Sequence, residues 1–217
     1  MCIRDRPWID RVPAVLEAWF SGSEAGNALA DVVFGAVNPS GKLPFTFPVR
    51  LEDNGAHTLG EYPGADKVKY NESIFVGYRW HDKEQLKPLF AFGHGLSYTA
   101  FAVGNVKADR TTLAPNGSIR ISADVTNTGD RAGAEVVQLY IGDEQSSLPR
   151  PVKELKGFQK VSLNPGQTQT VTFEITPGML QYYDDAKGAW VAEPGAFTAY
   201  VGAASDDIRG TVEFELK

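Results

Sequence analysis

Aromatic, acidic and guanidinium side chains occur together between residues 70 and 80. The set comprises Tyr70, Glu72, Tyr78, Arg79 and Trp80. Aromatic rings stack on the apolar face of a pyranose, and a carboxylate and a guanidinium hydrogen-bond its hydroxyls. The competing interpretation is that Tyr78 and Trp80 pack between domains while Glu72 pairs with Arg79 to fix the connecting segment. The second interpretation places the segment at a junction between domains.

Other titratable residues that could carry chemistry have simpler explanations. Asp184 and Asp185 are adjacent, so on a strand they point to opposite faces, and in a turn they are solvated or capping. Glu24 suits the positive end of a helix. His94 has no cysteine or second histidine at ligand spacing, which favours a structural histidine that bonds backbone groups. We therefore expect no catalytic pair and no metal site in this sequence.

Glycine-rich stretches at residues 22–26 and 93–95 do not form a nucleotide-binding loop. A phosphate loop needs Gly-Lys-Ser/Thr before a helix, and a dinucleotide fingerprint needs three spaced glycines after a strand. Neither pattern occurs, so no cofactor is expected.

The elements that precede the aromatic segment are predicted to be helical and then extended. Residues 13–20 and 24–34 read as helices, with Ser23 as the N-cap of the second and Gly35 as its left-handed stop.

The chain then continues through a turn. Leu43, Phe45 and Phe47 alternate as on an edge strand, so the helix and this strand form part of an α/β unit with one open flank. Residues from about 50 to 70 form a polar loop.

The last part of the chain alternates apolar and polar residues between Gly/Pro turns. Such runs end before the turns at residues 127–130 and 142–143, and similar runs lie near residues 171–175, 197–201 and 212–216. About seven short strands of this kind predict an antiparallel β-sandwich. The fold class is therefore mixed: an incomplete α/β unit followed by a β-sandwich.

Composition limits the function classes further. The 217 residues are 42% hydrophobic and 22% charged, with a net charge of −6 and a single cysteine, Cys2. This hydrophobic fraction is typical of a globular protein with a buried core. The negative net charge argues against a nucleic-acid partner. One cysteine cannot form an internal disulfide. No apolar run is long enough for a transmembrane helix, so no membrane partner is expected.

Several sequence motifs resemble those of glycoside hydrolase family 3 enzymes of the β-glucosidase and β-xylosidase type. In the first half they are the stretches at residues 19–35, 38–44, 70–80 and 88–98. In the second half they resemble the C-terminal fibronectin type III-like (immunoglobulin-like) domain of that family, through the words at residues 127–129, 132–140, 151–158 and 193–195.

The resemblance implies a domain organisation. Residues 7–50 resemble the end of the α/β second domain, 51–101 the connecting segment and 102–217 the fibronectin type III-like sandwich. Residues 1–6 lie outside the family pattern and are interpreted as a non-native leader, with a short native start as the alternative.

The resemblance also implies where the chemistry lies. The family's nucleophilic Asp and acid/base Glu are expected upstream of this chain, so no catalytic residue is assigned here. Tyr70, Glu72, Tyr78, Arg79 and Trp80 become candidates for contact with a β-linked glycoside. The parent enzyme would hydrolyse that glycoside with retention, and this chain would contact the catalytic domains as a scaffold, inactive alone.

Two other roles remain open. The sandwich could be a free carbohydrate- or protein-binding module that uses Tyr140, Phe158, Tyr182, Tyr183, Trp190 and Tyr200, although we expect most of these in the core. It could also be purely structural, with the word at residues 153–158 as an interdomain contact. Localisation is not determined by the sequence.

Overall fold

A computed structural model describes residues 6–217. Cys2 and nearly all of the predicted leader lie outside the described residues. The helical elements are α1 (Arg6–Ile9), α2 (Ala25–Val33), α3 (Gly55–Thr58) and α4 (Tyr78–Lys83), with 3-10 turns at Leu51–Asp53 and Pro177–Leu180. None of the helices in this part of the chain is long and apolar enough to cross a membrane.

Helix α2 confirms the second predicted helix, and Gly35 stops it with a φ of +78°. Two other predictions for this part of the chain were wrong, one about the N-cap of α2 and one about a first helix. The N-cap position is Glu24 rather than Ser23, and it makes no side-chain capping bond. Residues 13–20 form no helix. Val15 and Leu16 are about half exposed, so no packed face compensates the cost of nucleating so short a helix.

The predicted edge strand at residues 43–47 is mostly absent as regular structure. Only Phe47 forms a bridge, to Phe90. The segment still runs beside residues 89–94, because the Leu43 N–H donates to His94 O at 2.8 Å and the Gly93 N–H donates to Leu43 O at 2.8 Å. Pro44 lacks an N–H group, so it can donate no ladder bond between the paired residues Leu43 and Phe47.

The β-sandwich is confirmed. Its strands are β1 (Phe101–Ala108), β2 (Thr112–Leu113), β3 (Ile119–Asn127), β4 (Gly133–Asp143), β5 (Glu154–Leu163), β6 (Thr168–Ile175), β7 (Tyr182–Asp184), β8 (Ala189–Val191), β9 (Gly195–Ala204) and β10 (Asp207–Leu216). One sheet has the order β1-β3-β6 and the other β2-β10-β9-β4-β5, while β7 and β8 form a separate hairpin.

The sandwich core lies between the two sheets and follows the alternation seen in the sequence. Strand β3 alternates buried and less buried residues along its whole length. The largest fully buried side chains include Tyr140, Phe197, Leu113, Ile119, Ile121, Leu139, Leu163, Ile175 and Leu180. The turn predicted at residues 142–143 was wrong, since β4 continues through them and pairs Asp143 with Phe197 of β9.

The segment before the sandwich is bound to it by polar contacts. Lys42 Nζ lies 2.7 Å from Glu135 Oε1 and both side chains are largely buried. Asn38 Nδ2 donates to Ala132 O at 3.0 Å, and Asn38 Oδ1 accepts a bond from the Tyr98 N–H at 2.8 Å. On the outer side of this segment Phe20 and Phe34 are almost fully exposed.

Candidate functional site

Helix α4 holds the connecting segment against the sandwich through an aromatic side chain. The Tyr78 ring stacks on Phe92 at a centroid distance of 4.9 Å and meets the edge of Tyr140 at 5.8 Å. The Leu155 N–H of β5 donates to the Tyr78 hydroxyl oxygen at 2.9 Å. Tyr78 therefore packs at a junction, as one of its two predicted roles required.

Ion pairs reinforce the same contact. Asp82 Oδ2 of α4 lies 2.6 Å from Lys153 Nζ, and Arg79 lies 3.1 Å from Glu154 Oε1. The predicted pair between Glu72 and Arg79 was wrong, because Arg79, in the first turn of α4, pairs with Glu154 of β5 instead. The motif at residues 153–158 thus forms a contact between the sandwich and the connecting segment.

Glu154 is the centre of a larger charged network on β5. Arg150 donates to its Oε2 at 2.8 Å and also pairs with Asp143 at 2.8 Å. Burial raises the pKa of the Glu154 carboxyl, but the positive charges of Lys156 and Arg150 outweigh burial and hold this pKa below its ordinary value. Glu154 is therefore held ionised inside a partly buried cluster.

Trp80 of α4 and Glu72, in the turn that precedes this helix, are both buried. Their exposed fractions are 4% and 9%. Both pack on Gly55, where an added Cβ would lie 3.0 Å from the Trp80 ring and 3.1 Å from Glu72 Cβ. Glu72 Oε2 and Trp80 Nε1 are buried, and neither has a hydrogen-bond partner among the residues from 6 to 217. Buried polar atoms without partners are rare and indicate a missing ligand, water or neighbouring group.

Glu72 also lines a cavity of about 400 Å³, here called the Tyr70 cavity. Its walls include Ala56, Glu61, Tyr62, Val68, Tyr70 and Glu72. Tyr70 is 79% exposed at its rim. Of the five predicted site residues, the structure thus brings Tyr70 and Glu72 to one cavity and packs Trp80 on Gly55 as it does Glu72. Tyr78 and Arg79 contact the sandwich instead.

A second cavity, of about 380 Å³, was missed at the sequence level and is here called the His81 cavity. Its walls include Thr46, Tyr78, His81, Asp82, Leu86 and Asp206. It shares no lining residue with the Tyr70 cavity. The adjacent pair His81-Asp82, directly after the aromatic motif at residues 70–80, was the only sequence signal for this cavity. Thr46 and Asp206 lie too far away in the sequence to be joined to that pair from spacing.

The remaining titratable candidates have structural roles. Asp184 Oδ1 accepts bonds from the N–H groups of Ala186 and Lys187, which agrees with the predicted capping role, and Asp185 is exposed. The His94 ring stacks on Phe90 at 5.5 Å, and its hydrogen bonds to other residues run through its backbone. Over residues 6–217 no three His, Cys, Asp or Glu side chains converge as a metal site.

The expectation for the sandwich aromatics was wrong for most of them. Only Tyr140 is fully buried, whereas Phe158, Tyr183 and Trp190 are 67%, 49% and 64% exposed. Tyr183 and Trp190 face each other across the β7–β8 hairpin at 5.7 Å. The β7–β8 hairpin pairs with neither of the two sheets, and it exposes the Tyr183 and Trp190 rings to solvent.

Known proteins resemble both halves of the chain. A model described as the glycosyl hydrolase family 3 C-terminal domain matches residues 3–98, and a fibronectin type III-like domain matches residues 135–205. Beta-glucosidase BoGH3A of Bacteroides ovatus is 52% identical over 214 residues, which cover 97% of this chain and 29% of the relative. Thermostable beta-glucosidase B of Acetivibrio thermocellus is 49% identical over 94% of this chain and 27% of its own length.

Solved structures agree with these similarities. The chain superimposes on the GH3 beta-glucosidase of Bifidobacterium adolescentis with a TM-score of 0.90 and 37% identity, over 97% of this chain and 31% of that one. A beta-glucosidase from Kluyveromyces marxianus in complex with glucose gives a TM-score of 0.89 at 42% identity. The chain thus spans little more than a quarter of the length of the curated relatives it matches.

Proposed function

The chain belongs to glycoside hydrolase family 3, and on this premise we propose that it forms part of a retaining, exo-acting β-glucosidase. The observation that supports the proposal is the match of both modules, in order, to proteins named as beta-glucosidases over 93–98% of the chain. The nucleophile and the acid/base are supplied by other parts of the parent protein. The role of this chain is to scaffold them and to form part of the sugar-binding surface.

The Tyr70 cavity is the proposed point of sugar contact. The exposed Tyr70 ring offers a face on which a pyranose can stack. Glu72 Oε2 is a buried acceptor without a partner, and a sugar hydroxyl would supply the missing donor. Trp80 and Glu72 both approach Gly55, so the two side chains share one packed region beside the cavity. In this proposal Tyr70 and Glu72 contact the sugar, while Tyr78, Arg79 and Trp80 position them.

A chimera tests the enzymatic role directly. Residues 7–217 would replace the corresponding region of the Bacteroides ovatus relative, and hydrolysis of 4-nitrophenyl β-D-glucoside would be measured. We expect turnover, with β-glucose as the first anomer released, because retention requires two inversions. The 217-residue chain alone should show no turnover. A folded chimera that hydrolyses no aryl β-glucoside contradicts the proposed function.

The sugar contact is tested separately in an active chimera. Tyr70→Ala should raise KM about tenfold, since one stacking contact is worth roughly 1 kcal/mol or more. Glu72→Gln should raise KM by a similar factor through loss of a charged acceptor. Glu174→Gln, at an exposed position of β6, is the matched control. If both variants keep the KM of the unmodified chimera, the Tyr70 cavity does not contact the sugar.

A second candidate function has one observation in its favour. The exposed Tyr183 and Trp190 form an aromatic pair that a carbohydrate-binding module could use. Their planes meet at 69°, so they do not form a flat platform for a glucan chain. Retention of the 217-residue chain on insoluble cellulose or xylan, lost in Trp190→Ala, would support this module role over the scaffold role.

A further inference from the structure

The segment from residue 11 to residue 37 is rich in apolar side chains but has no core of its own. No residue in this range is buried. Its exposed large apolar side chains are Val12, Val15, Leu16, Trp19, Phe20, Val33, Phe34 and Val37. Extensive exposed apolar surface is uncommon on soluble monomers and marks interaction sites.

Helix α2 lies in this segment and lacks the support that short helices need. It has nine residues, none of them buried. A helix of this length is marginal in water and gains most of its stability from packing of an apolar face. At its C-terminal end Val33 and Phe34 are 64% and 86% exposed. Residues 6–217 thus leave this end of the helix uncovered.

An aromatic row connects the same segment to the interior. The Trp19 ring packs against Phe45 at 5.3 Å, and Phe45 packs against Phe47 at 5.0 Å, both in edge-to-face geometry. Phe47 is 6% exposed, whereas Phe45 and Trp19 are 39% and 43% exposed. Burial thus decreases outward along one row of packed rings. Permanent protein interfaces have this character, because they resemble a domain core cut in half.

Charge selects among the possible occupants of this surface. Residues 10–37 contain four exposed acidic side chains, Asp10, Glu17, Glu24 and Asp31, and one basic side chain, Arg11. A symmetric dimer would place the same acidic patch on both sides of the interface, where like charges repel. The net charge of −6 adds to that repulsion. An apolar partner with lysine or arginine at its rim is therefore favoured over a second copy.

The comparisons indicate where such a partner lies. The family model that matches residues 3–98 is that of a C-terminal domain, and the chain spans only 29% and 27% of two curated relatives. We propose that the apolar surface of residues 11–37, together with Phe45, is covered by the part of the parent β-glucosidase outside the matched region, through apolar side chains rimmed by basic ones. This inference rests on the proposed function, because it names the partner surface of the scaffold.

The experiment compares the accessibility of this surface in the 217-residue chain and in the chimera described above. Phe20→Cys and Phe34→Cys are made in both, and the reaction of each new cysteine with N-ethylmaleimide is followed by peptide mass spectrometry. Both positions are exposed in the chain, so neither substitution should disturb its fold. We expect both to react about tenfold or more slowly in the chimera. Phe158→Cys, at a position of β5 that is 67% exposed, is the matched control and should react equally in both proteins.

Two labelling outcomes would overturn the proposal. Equal rates in the chimera and the chain at positions 20 and 34 would show that the surface stays open. Protection that develops in the 217-residue chain alone as its concentration rises would make a second copy the occupant.

The same samples separate this proposal from the proposed function. A chimera that protects both positions but hydrolyses no aryl β-glucoside would contradict the proposed function and support the covered surface. An active chimera with both positions open would do the reverse.

Amide hydrogen exchange gives a readout that needs no substitution. The amides of α2 should exchange rapidly in the 217-residue chain, because none of its residues is buried, and about tenfold or more slowly in the unmodified chimera. Equal exchange of α2 in the two proteins would also overturn the proposal.

The charged rim is tested by Asp31→Lys. The side chain is exposed, so the change should not lower the urea midpoint of the 217-residue chain, but it should lower that of the chimera by placing two cations together. Glu174→Lys, at an exposed position of β6, is the matched control. An Asp31→Lys chimera with the midpoint of its Glu174→Lys counterpart would contradict a basic rim on the partner.

Discussion

Lys153 Nζ lies 2.6 Å from Asp82 Oδ2 and joins strand β5 of the sandwich to helix α4 of the connecting segment. The side chains are 9% and 21% exposed, so solvent screens the pair only weakly. Next to it the Leu155 N–H donates to the Tyr78 hydroxyl oxygen. These two contacts fix α4, whose Trp80 packs on Gly55 together with Glu72 of the Tyr70 cavity.

Removal of Lys153 should loosen this junction. Lys153→Met keeps the aliphatic chain but leaves Asp82 partly buried without its partner, which should cost about 2 kcal/mol of unfolding free energy. Urea unfolding measures the loss, and amide hydrogen exchange at Leu155 should accelerate because its bond to Tyr78 opens more often.

The matched control for this pair is Lys217→Met. Lys217 pairs with Glu215, but both side chains are more than half exposed, so the change should cost about 0.5 kcal/mol or less. Equal effects of the two substitutions would show that the Lys153 pair contributes no more than a surface pair.

Acidification should weaken the same junction through Glu154. The pKa of this carboxyl lies below its ordinary value in the folded chain, since Lys156 and Arg150 outweigh the opposing effect of burial. The unfolded chain then binds more protons in acid, and stability rises with pH. This contribution is complete above the unfolded value of about 4.3 and is lost as the pH falls through the folded pKa.

The measurement is the urea midpoint between pH 3 and pH 7. Glu154→Gln removes the titrating group, so its stability curve should be flatter below about pH 4.5 than that of the unmodified chain. Glu174→Gln changes an exposed glutamate of β6 and should leave the slope intact. A Glu154→Gln chain with the full acid dependence would rule out Glu154 as its source.

The sandwich could be predicted from sequence because its signal is local. Ile119, Ile121, Ala123 and Val125 alternate, and all four are buried in β3. Alternation of apolar and polar residues indicates a strand with one buried face. Which residues share that face follows from the strand geometry alone, because successive side chains point to opposite sides. The short helix expected at residues 13–20 had no such support, since its apolar side chains are exposed in this structure.

The site was only partly predictable because it depends on contacts between distant residues. The aromatic motif at residues 70–80 identified Tyr70, Glu72 and Trp80 as neighbours within one segment. It could not show that Arg79 would pair with Glu154, 75 positions later in the sequence numbering, instead of with Glu72. Which partner a charged side chain meets is decided by the docking of α4 on β5, and that has no local signature.

Asn127, the last residue of β3, should stabilise the turn that follows this strand at one end of the sandwich. Its Nδ2 donates to Leu163 O at 3.0 Å and to Arg131 O at 2.8 Å, and its Oδ1 accepts a bond from Thr99 at 2.8 Å. The residue is fully buried. Asn127→Ala leaves several buried groups without partners and should cost about 3 kcal/mol.

Chemical denaturation checks this value against Asn105→Ala. Asn105 hydrogen-bonds Asp124 at an exposed site and has a φ of +51°, so its replacement should cost about 1 kcal/mol. A cost for Asn127→Ala no larger than that for Asn105→Ala would contradict the view that the buried amide organises this turn.

Gly93 should tolerate no side chain, because it combines a left-handed backbone with a close neighbour. Its φ is +81°, and an added Cβ would overlap the side chain of Gln138. Gln138 Nε2 donates to Gly93 O at 3.2 Å and to Ala203 O at 2.6 Å, and it is 3% exposed. Gly93→Ala must therefore displace a buried amide from both bonds, at a cost of about 3 kcal/mol.

Gly166→Ala separates the two causes. Gly166 has a φ of +73°, but nothing lies within 4 Å of an added Cβ, so only the backbone strain of about 1 kcal/mol remains. The difference between the two unfolding free energies measures the contact with Gln138. Equal losses would mean that the Gln138 side chain moves aside freely, and that its two hydrogen bonds do not fix the Gly93 turn on the sandwich.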